Sequence, residues 1–328
     1  MNSFEWIDAR TVDDAVHWLE AGDGAVVAKA GGLDLLDLMK EGIVRPSRVI
    51  NLRTIAGLDE IRSDEQGTLR LGALAPLARI ASDPAVVRQF GALAAAIEHA
   101  ATPQVRNVAT IGGNLLQRPR CWYFRSEQFA RERVVEAARH GEHQYHGIFD
   151  VERTPLVHAS TPATALLAYG ATVHVKGAHG ERSTPLADFL LPPDPTRGSD
   201  VAMQRGEVLT HVTLRVPEAG TFAAYHKQTE RDSYDWPICD VAVVLRLGKE
   251  RIVEAASTAL GWVAPTPMRA AEAEQLLVGR RVDAAIAAEA AKAVVAKATP
   301  LAKNGYKVPV LEAVIRRTIL AAANADAD

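Results

Sequence analysis

Three observations predict an α+β chain of more than one unit. The first 58 residues read as helix, strand, helix, strand. The last third reads as strands followed by helices, the order of an α+β domain. The length, 328 residues, implies two or three cores.

The N-terminal unit opens with Thr11-Val-Asp-Asp14, an N-cap with an acidic first turn. Val12, Ala15, Val16 and Leu19 then share one helical face, and Gly22 ends it. Residues 25–28 form a short apolar strand that runs into Gly31-Gly32. Residues 33–40 form a short helix and residues 48–52 another strand. Without a Cβ, Gly31 and Gly32 reach φ > 0 and let backbone N–H groups converge on an anion. A helix starting at Leu33 adds its N-terminal field. Alone, such a turn is more often just a tight turn than a phosphate site. It is neither G-x-G-x-x-G nor a Walker A, which argues against a nucleotide enzyme of those folds.

Residues 68–72 form the next strand. Asp83-Pro84, an N-cap followed by Pro at N1, starts one long helix with Val86, Val87, Phe90, Leu93, Ala94 and Ile97 on its buried face. It leads to a second glycine pair, Gly112-Gly113, again with apolar residues before and leucines after. Thr110 and Asn114 flank the pair with a short hydroxyl and amide. Two such turns point to one extended ligand held by both.

Residues 118–150 differ in character. Arg118-Pro-Arg-Cys-Trp-Tyr-Phe-Arg125 is basic and aromatic, residues 127–139 read as a charged helix, and residues 141–147 read as a solvated polar loop. His140, His143 and His146 recur at spacing three. No carboxylate or cysteine pattern completes a coordination shell. Further on come a helix ending near Gly170, a strand at 171–175, a rigid proline loop at 190–195 and a strand at 207–216. Pro217 and Gly220 mark a boundary. Strands at 222–227, 241–247 and 252–260 make an antiparallel sheet, and helices at 268–277, 284–298 and 310–323 follow. The expected units are 1–58, 59–220 and 221–328.

Composition sets limits. Net charge is -3 with 23% charged residues, so no basic footprint marks nucleic acid or an anionic membrane. No apolar run approaches the ~20 residues that span a bilayer. The start, MNSFEWIDAR, lacks a signal peptide's apolar core. Two cysteines, Cys121 and Cys239, make neither a disulfide framework nor a four-thiolate cluster. A cytoplasmic location is expected, or a periplasmic one if a partner carries the export signal.

Ala30-Gly31-Gly32-Leu33-Asp34 and, some 80 residues later, Arg106-Asn-Val-Ala-Thr-Ile-Gly-Gly-Asn114 together resemble two motifs of the FAD-binding medium subunit of the xanthine dehydrogenase, carbon monoxide dehydrogenase and aldehyde oxidoreductase family. Their pairing in order is specific. The resemblance continues through Gly206-Glu-Val-Leu-Thr210 and Tyr225-His-Lys227. Tyr234-Asp-Trp-Pro237, Ala264-Pro-Thr-Pro267 and Lys303-Asn-Gly-Tyr-Lys-Val-Pro309 are similar to the bacterial periplasmic aldehyde oxidoreductase type.

That resemblance implies a vanillyl-alcohol-oxidase-like FAD-binding fold in two α+β subdomains with a C-terminal α+β domain. It implies FAD, with Lys29, Ala30, Gly31, Gly32, Leu33, Asp34, Leu35 and Leu36 on the pyrophosphate. It implies Thr110, Gly113 and Asn114 on pyrophosphate and ribityl groups, beside Thr102, Ala109, Ile111, Gly112 and Leu116. Ser160 and Thr161, within His158-Ala-Ser-Thr161, would approach the flavin. Lys227 would lie near the isoalloxazine, and Leu190 and Leu191 on a loop over it. The implied role is electron transfer within a heterotrimer. A molybdopterin-binding large subunit oxidises an aldehyde or N-heterocycle. A small subunit with 2Fe-2S clusters feeds the flavin, which reduces an external acceptor. Related subunits carry a 4Fe-4S cluster on four cysteines in the segment after the second glycine pair. Here only Cys121 remains, with Ala130, residues 136–139 and Pro155 about where the others fall, so no cluster is expected in this chain and Cys121 is read as a buried small hydrophobe. A free-standing FAD oxidoreductase of the same fold, with His158, Tyr225 or Asp235 as its acid or base, and a flavin-less assembly scaffold stand as alternatives.

Overall fold

The structure, a computed structural model, describes residues 2–22, 25–65 and 67–325. It contains three sheets. The first is parallel: β1 (Glu5–Asp8), β2 (Val26–Lys29) and β3 (Arg48–Asn51), in the order β1-β3-β2. β1 carries no readable signal because it is a largely exposed edge strand, so EWID shows no buried alternation. Helix Val12–Ala21 packs on this sheet, and the Thr11 hydroxyl accepts from the Asp14 amide at 3.0 Å.

The second sheet is antiparallel: β4 (Ile61–Ser63), β5 (Thr68–Gly72), β6 (Thr172–Gly177), β7 (Gly180–Pro185) and β8 (Val208–Arg215), ordered β4-β5-β8-β6-β7. Its core is completed by the helices of residues 77–98 and by helix Thr161–Ala168. The single helix expected after Asp83 is two, Pro84–Gln89 and Gly91–Glu98. Phe90 breaks it at φ -131°, ψ 48°. Its fully buried ring meets Tyr169 edge-on, 5.2 Å between centroids. The break turns Val87 outward, 52% exposed, although the single-helix pattern places it in the core.

The third sheet is β9 (Thr221–Gln228), β10 (Cys239–Leu247), β11 (Val253–Gly261) and β12 (Met268–Arg269), ordered β12-β11-β10-β9 and antiparallel throughout. Helices Ala271–Leu277, Ala284–Val295 and Lys307–Asn324 cover one face. β10 is buried on both faces. Val241, Val243 and Leu245 enter the core with these helices, whereas Ala242, with Tyr225 and Ala259, joins the core of the second sheet. The two-residue period of the strand thus joins two cores through one sheet.

The segment after the second glycine pair has its own small core: Cys121, Phe124, Val134, Ala138 and Leu156 packed on Leu38. Its helix is shorter than expected, Val134–His140. Its tail is not the solvated loop that its polarity implies. His143 and His146 are 2% and 4% exposed, because the C-terminal domain supplies their partners. The His143 Nε2 accepts from the Lys303 amide at 2.9 Å. The Lys307 ammonium donates to the carbonyls of His146 and Trp262 at 2.9 and 2.7 Å. His140 alone faces solvent, paired with Glu136.

Candidate functional site

The two glycine segments abut. A Cβ on Gly31 would stand 2.4 Å from the Val108 carbonyl oxygen, and one on Gly113 would stand 3.9 Å from the Ala30 Cβ. Between them and the third sheet runs a cleft of about 530 Å³, within the range of ligand pockets. Its wall holds Lys29 to Leu35 from the first segment and Thr102, Ala109, Thr110, Gly112, Gly113, Asn114 and Leu116 from the second. Thr161 at the start of helix Thr161–Ala168 and Lys227 on β9 close it.

The two segments do different work. Gly32 has φ +85° and precedes helix Leu33–Lys40. No side chain caps that helix, so its first amides have no intrahelical acceptor. This is the anion-ready end of the cleft. At the second pair the amides are already engaged. Gly112 N donates to the Ala73 carbonyl at 2.9 Å, and Gly113 N to the Thr110 hydroxyl at 3.1 Å. The pair lies inside a short helix, Ile111–Leu115, rather than in a strand-to-helix turn. It contributes closeness instead. A Cβ on Gly112 would meet Ala73 Cβ and O at 2.9 Å. The expectation that both pairs offer amides is corrected: the first offers amides, the second a bare surface.

Several expected residues stand elsewhere. Leu36 is half-exposed and Ile111 fully buried, and neither lines the cleft. Ser160 lies behind the wall, where its hydroxyl donates to Asn114 Oδ1 at 2.5 Å and accepts from the Ala163 amide. It orients Asn114. The Asp34 carboxylate is consumed by arginines: Arg125 and Arg120 at 2.7 and 3.0 Å, and the Arg118 amide at 3.0 Å. A carboxylate aimed at a pyrophosphate would repel it, and these cations turn it away. Leu190 is buried against Val201 through a bridge pairing, so the 190s loop meets the cleft through Gly198, Ser199 and Met203 instead of Leu190 and Leu191.

Sequence reasoning missed Arg118, Arg120, Tyr234, Trp236 and Pro237 as cleft residues, and named Asp235 only as an acid–base candidate; all of them line the cleft. The Arg118 guanidinium bonds the carbonyls of Arg197 and Asp194 at 2.7 and 2.9 Å. Its Nε approaches Asp200 Oδ2 at 2.9 Å, as a charge contact without hydrogen-bond alignment. Burial draws both partners toward neutrality, Arg118 below its ordinary value and Asp200 above. The Arg120 guanidinium lies 5.2 Å over the exposed Trp236 ring. The motif Tyr234-Asp-Trp-Pro237 was visible as a signal, without any indication of what it faced.

Two lysines are held in the wall. Lys227 donates to the His99 carbonyl at 2.8 Å, and Lys29 lies 5.2 Å over Trp6. Partial burial lowers both below the usual lysine value. The acid–base candidates of a free-standing enzyme fare poorly. His158 is buried on the Leu115 carbonyl and drawn down to about 4 by desolvation, and Tyr225 is buried on Asp240. Asp235 reaches the cleft but is tied to Arg231 at 2.9 Å, which holds its carboxyl below the usual range. Cys121 is buried with its Sγ 3.2 Å from His146 Nε2, and desolvation pushes the thiol up to about 11, where it stays protonated. Among the described residues, no group of three or more His, Cys, Asp or Glu has metal-ligating geometry. No helix of the described residues is long and apolar enough to cross a membrane.

Residues 2–218 match the FAD binding domain in molybdopterin dehydrogenase, and residues 224–322 the CO dehydrogenase flavoprotein C-terminal domain. The chain is 34% identical over 309 residues to the aldehyde oxidoreductase FAD-binding subunit PaoB of Escherichia coli K12, covering 91% of each. It is 26% identical to the carbon monoxide dehydrogenase medium chain of Afipia carboxidovorans, over 97% of this chain and 96% of that one. The fold superposes on a carbon monoxide dehydrogenase from Hydrogenophaga pseudoflava with a TM-score of 0.78 and 26% identity, covering 98% and 97% of the two chains. A cleft with an anion-ready helix end, a bare glycine surface and basic walls fits a dinucleotide cofactor, and with these matches the chain belongs to the FAD-binding medium-subunit family of the molybdenum hydroxylases.

Proposed function

We propose that this chain is the electron-transferring flavoprotein subunit of a molybdenum hydroxylase complex. The observation that carries the reading is the single cleft into which segments 29–35, 102–116 and Lys227 converge. The amides at the start of helix Leu33–Lys40 hold the pyrophosphate of FAD. Gly113 and the Ser160-oriented amide of Asn114 hold the adjoining chain of the cofactor. Lys227 and Lys29 supply the positive charge that favours an anionic reduced cofactor. When bound, FAD supplies the exchange between one-electron and two-electron chemistry.

The partners are a molybdopterin-binding large subunit that oxidises the substrate and a small subunit whose 2Fe-2S clusters deliver electrons. An external acceptor takes them away. The complex is cytoplasmic, or periplasmic where a partner subunit carries the export signal. Co-expression with the neighbouring reading frames, affinity capture of this chain and an absorbance spectrum test all of this. A flavin band, stoichiometric FAD and co-captured molybdenum and iron–sulfur subunits are expected. Turnover by the flavin-loaded chain alone with a reductant and an acceptor would refute the subunit reading in favour of a free-standing oxidoreductase. A flavin-free chain that still captures both partners would make it a scaffold.

A further inference from the structure

Asp240 has no part in the cleft wall, and no role above uses it. It lies on β10, fully buried. Tyr225 OH donates to its Oδ2 at 2.7 Å, and Thr164 Oγ1 to its Oδ1 at 3.0 Å. The Gly261 amide adds a third donor. The space is reserved for the carboxyl: a Cβ on Gly261 would stand 1.9 Å from Asp240 Oδ1 and 2.1 Å from Thr164 Oγ1. A seam between two apolar cores needs no ionisable group, and burying one is costly unless it is served.

The surroundings connect it to the cleft. The Thr161 hydroxyl, which lines the cleft, neighbours the Tyr225 oxygen and also reaches the Ala96 carbonyl at 3.5 Å. Lys227, paired opposite Asp240 in the β9–β10 register, lines it too. The groups that face Asp240 are Tyr225 and Lys227 from β9 and the Thr164 hydroxyl from helix Thr161–Ala168, while Cys239, its neighbour on the strand, points into the opposite core. The Gly261 amide faces it from β11, and His99 stacks on Tyr225 with 6.5 Å between ring centroids. Burial pushes the carboxyl up to about 7, against the pull of Tyr225, Thr164 and Lys227. Both protonation states are therefore within reach near neutrality.

We propose that Asp240 is a proton store for the redox site: it takes up a proton through the Thr161 and Tyr225 hydroxyls when the cleft gains negative charge, and releases it on reoxidation. The proposal rests on the flavin reading above. Two electrons arrive from an iron–sulfur donor. One proton reaches the cofactor from cleft solvent and a second ends on Asp240, so the charge of the site is unchanged over reduction. Tyr225 passes its hydroxyl proton to Asp240 Oδ2 as Thr161 passes one to the Tyr225 oxygen, and cleft water restores Thr161. Negative charge nearby raises a carboxyl's proton affinity, and by reciprocity the proton raises the affinity of the site for electrons. Asp240 acts through its neighbours and is a positioning residue for charge.

The test is the pH dependence of the bound flavin's midpoint potential in purified flavin-containing protein, with proton uptake on reduction measured by a pH-indicator dye. Near pH 8, where the carboxyl starts mostly ionised, the wild type takes up close to one more proton per two electrons than Asp240→Asn, and near pH 7 about half as much. Tyr225→Phe removes a donor that holds the carboxyl down, so the window of extra uptake moves to higher pH, and the proton exchange slows. In reduced-minus-oxidised infrared spectra of the wild type, a protonated-carboxyl C=O band appears on reduction and shifts in D2O. This readout stands if Asp240→Asn does not fold. Equal proton counts in wild type and Asp240→Asn, or no carboxyl band in the wild type, overturn the proposal while leaving the flavin assignment intact. A chain without flavin absorbance overturns both, and the spectrum shows which has failed before any potential is read.

Discussion

Replacing Arg118 with Met keeps most of its apolar stem and removes its charge. Asp200 is then left 3% exposed with its cation gone. At 2.9 Å and an effective dielectric of about 20, the lost attraction is about 6 kcal/mol. Part of that is offset because the guanidinium no longer has to be desolvated, so the expected loss of stability at pH 8 is about 3–5 kcal/mol. Asp200→Asn costs less, because a neutral amide stays compatible with burial. In the double variant the two losses fall short of their sum by about 1–3 kcal/mol. The pH dependence has a definite sign. The folded-state pKa of Asp200 is raised, so its protonated form favours the fold, and that contribution is lost as pH rises through the folded value. Removing Arg118 raises it further, so Arg118→Met suffers least near pH 4–5 and most near pH 8. Urea unfolding of the four proteins at both pH values is the assay. A single-variant cost below about 1 kcal/mol at pH 8, or strict additivity, would refute the reading of Arg118 and Asp200 as a coupled buried ion pair.

Gly31→Ala forces a methyl to within 2.4 Å of the Val108 carbonyl oxygen. It should cost about 1–3 kcal/mol and lower FAD retention on gel filtration, read as the ratio of flavin to protein absorbance. Gly112→Ala should cost a similar amount through Ala73 while leaving the anion end of the cleft unaltered. With its two thiols pushed up to about 11 and about 12, the native protein should react negligibly with a disulfide reagent at pH 8, whereas the urea-unfolded chain releases two equivalents. Lys307 is drawn down to about 7 by burial, so the folded state resists charging it. Relative to Lys307→Met, the wild type should therefore gain stability as pH rises from 7 toward 10, and a flat difference across that range in urea melts would contradict it.

Where local chemistry and tertiary demand agreed, the fold was legible. Helix Leu33–Lys40 and strand Thr68–Gly72 fall on the expected residues, because a capping glycine and alternating burial act over a few positions. The break at Phe90 was not legible. It depends on Tyr169, 79 positions away, holding the ring in the core. Polarity misled at His143 and His146, since their partners Lys303 and Lys307 lie some 160 positions later. In the site, the two glycine pairs and Lys227 were readable as residue types. What the second pair does with its amides was not, because Ala73, which accepts from Gly112, belongs to a segment without any motif. The partners of Asp34 were not legible for the same reason: the arginines that claim its carboxylate lie 84 to 91 positions downstream.

That arginine cluster also sets an order of events. Asp34 meets Arg118 and Arg125 across 84 and 91 positions, and Arg118 then meets the carbonyl of Asp194 across a further 76. Loops of this length close late in folding, because their ordering entropy is spent before any contact repays it. On a ribosome adding about 5–20 residues per second, about 10–40 s pass before residue 200 has been made. Throughout that interval the first glycine turn exists without the segments that fix its outer wall. Helix Leu33–Lys40 can form early, yet the cleft gains its final shape only after Asp200 arrives. Tight capture of a dinucleotide is therefore a late step in the life of the chain, one that follows synthesis of the second sheet.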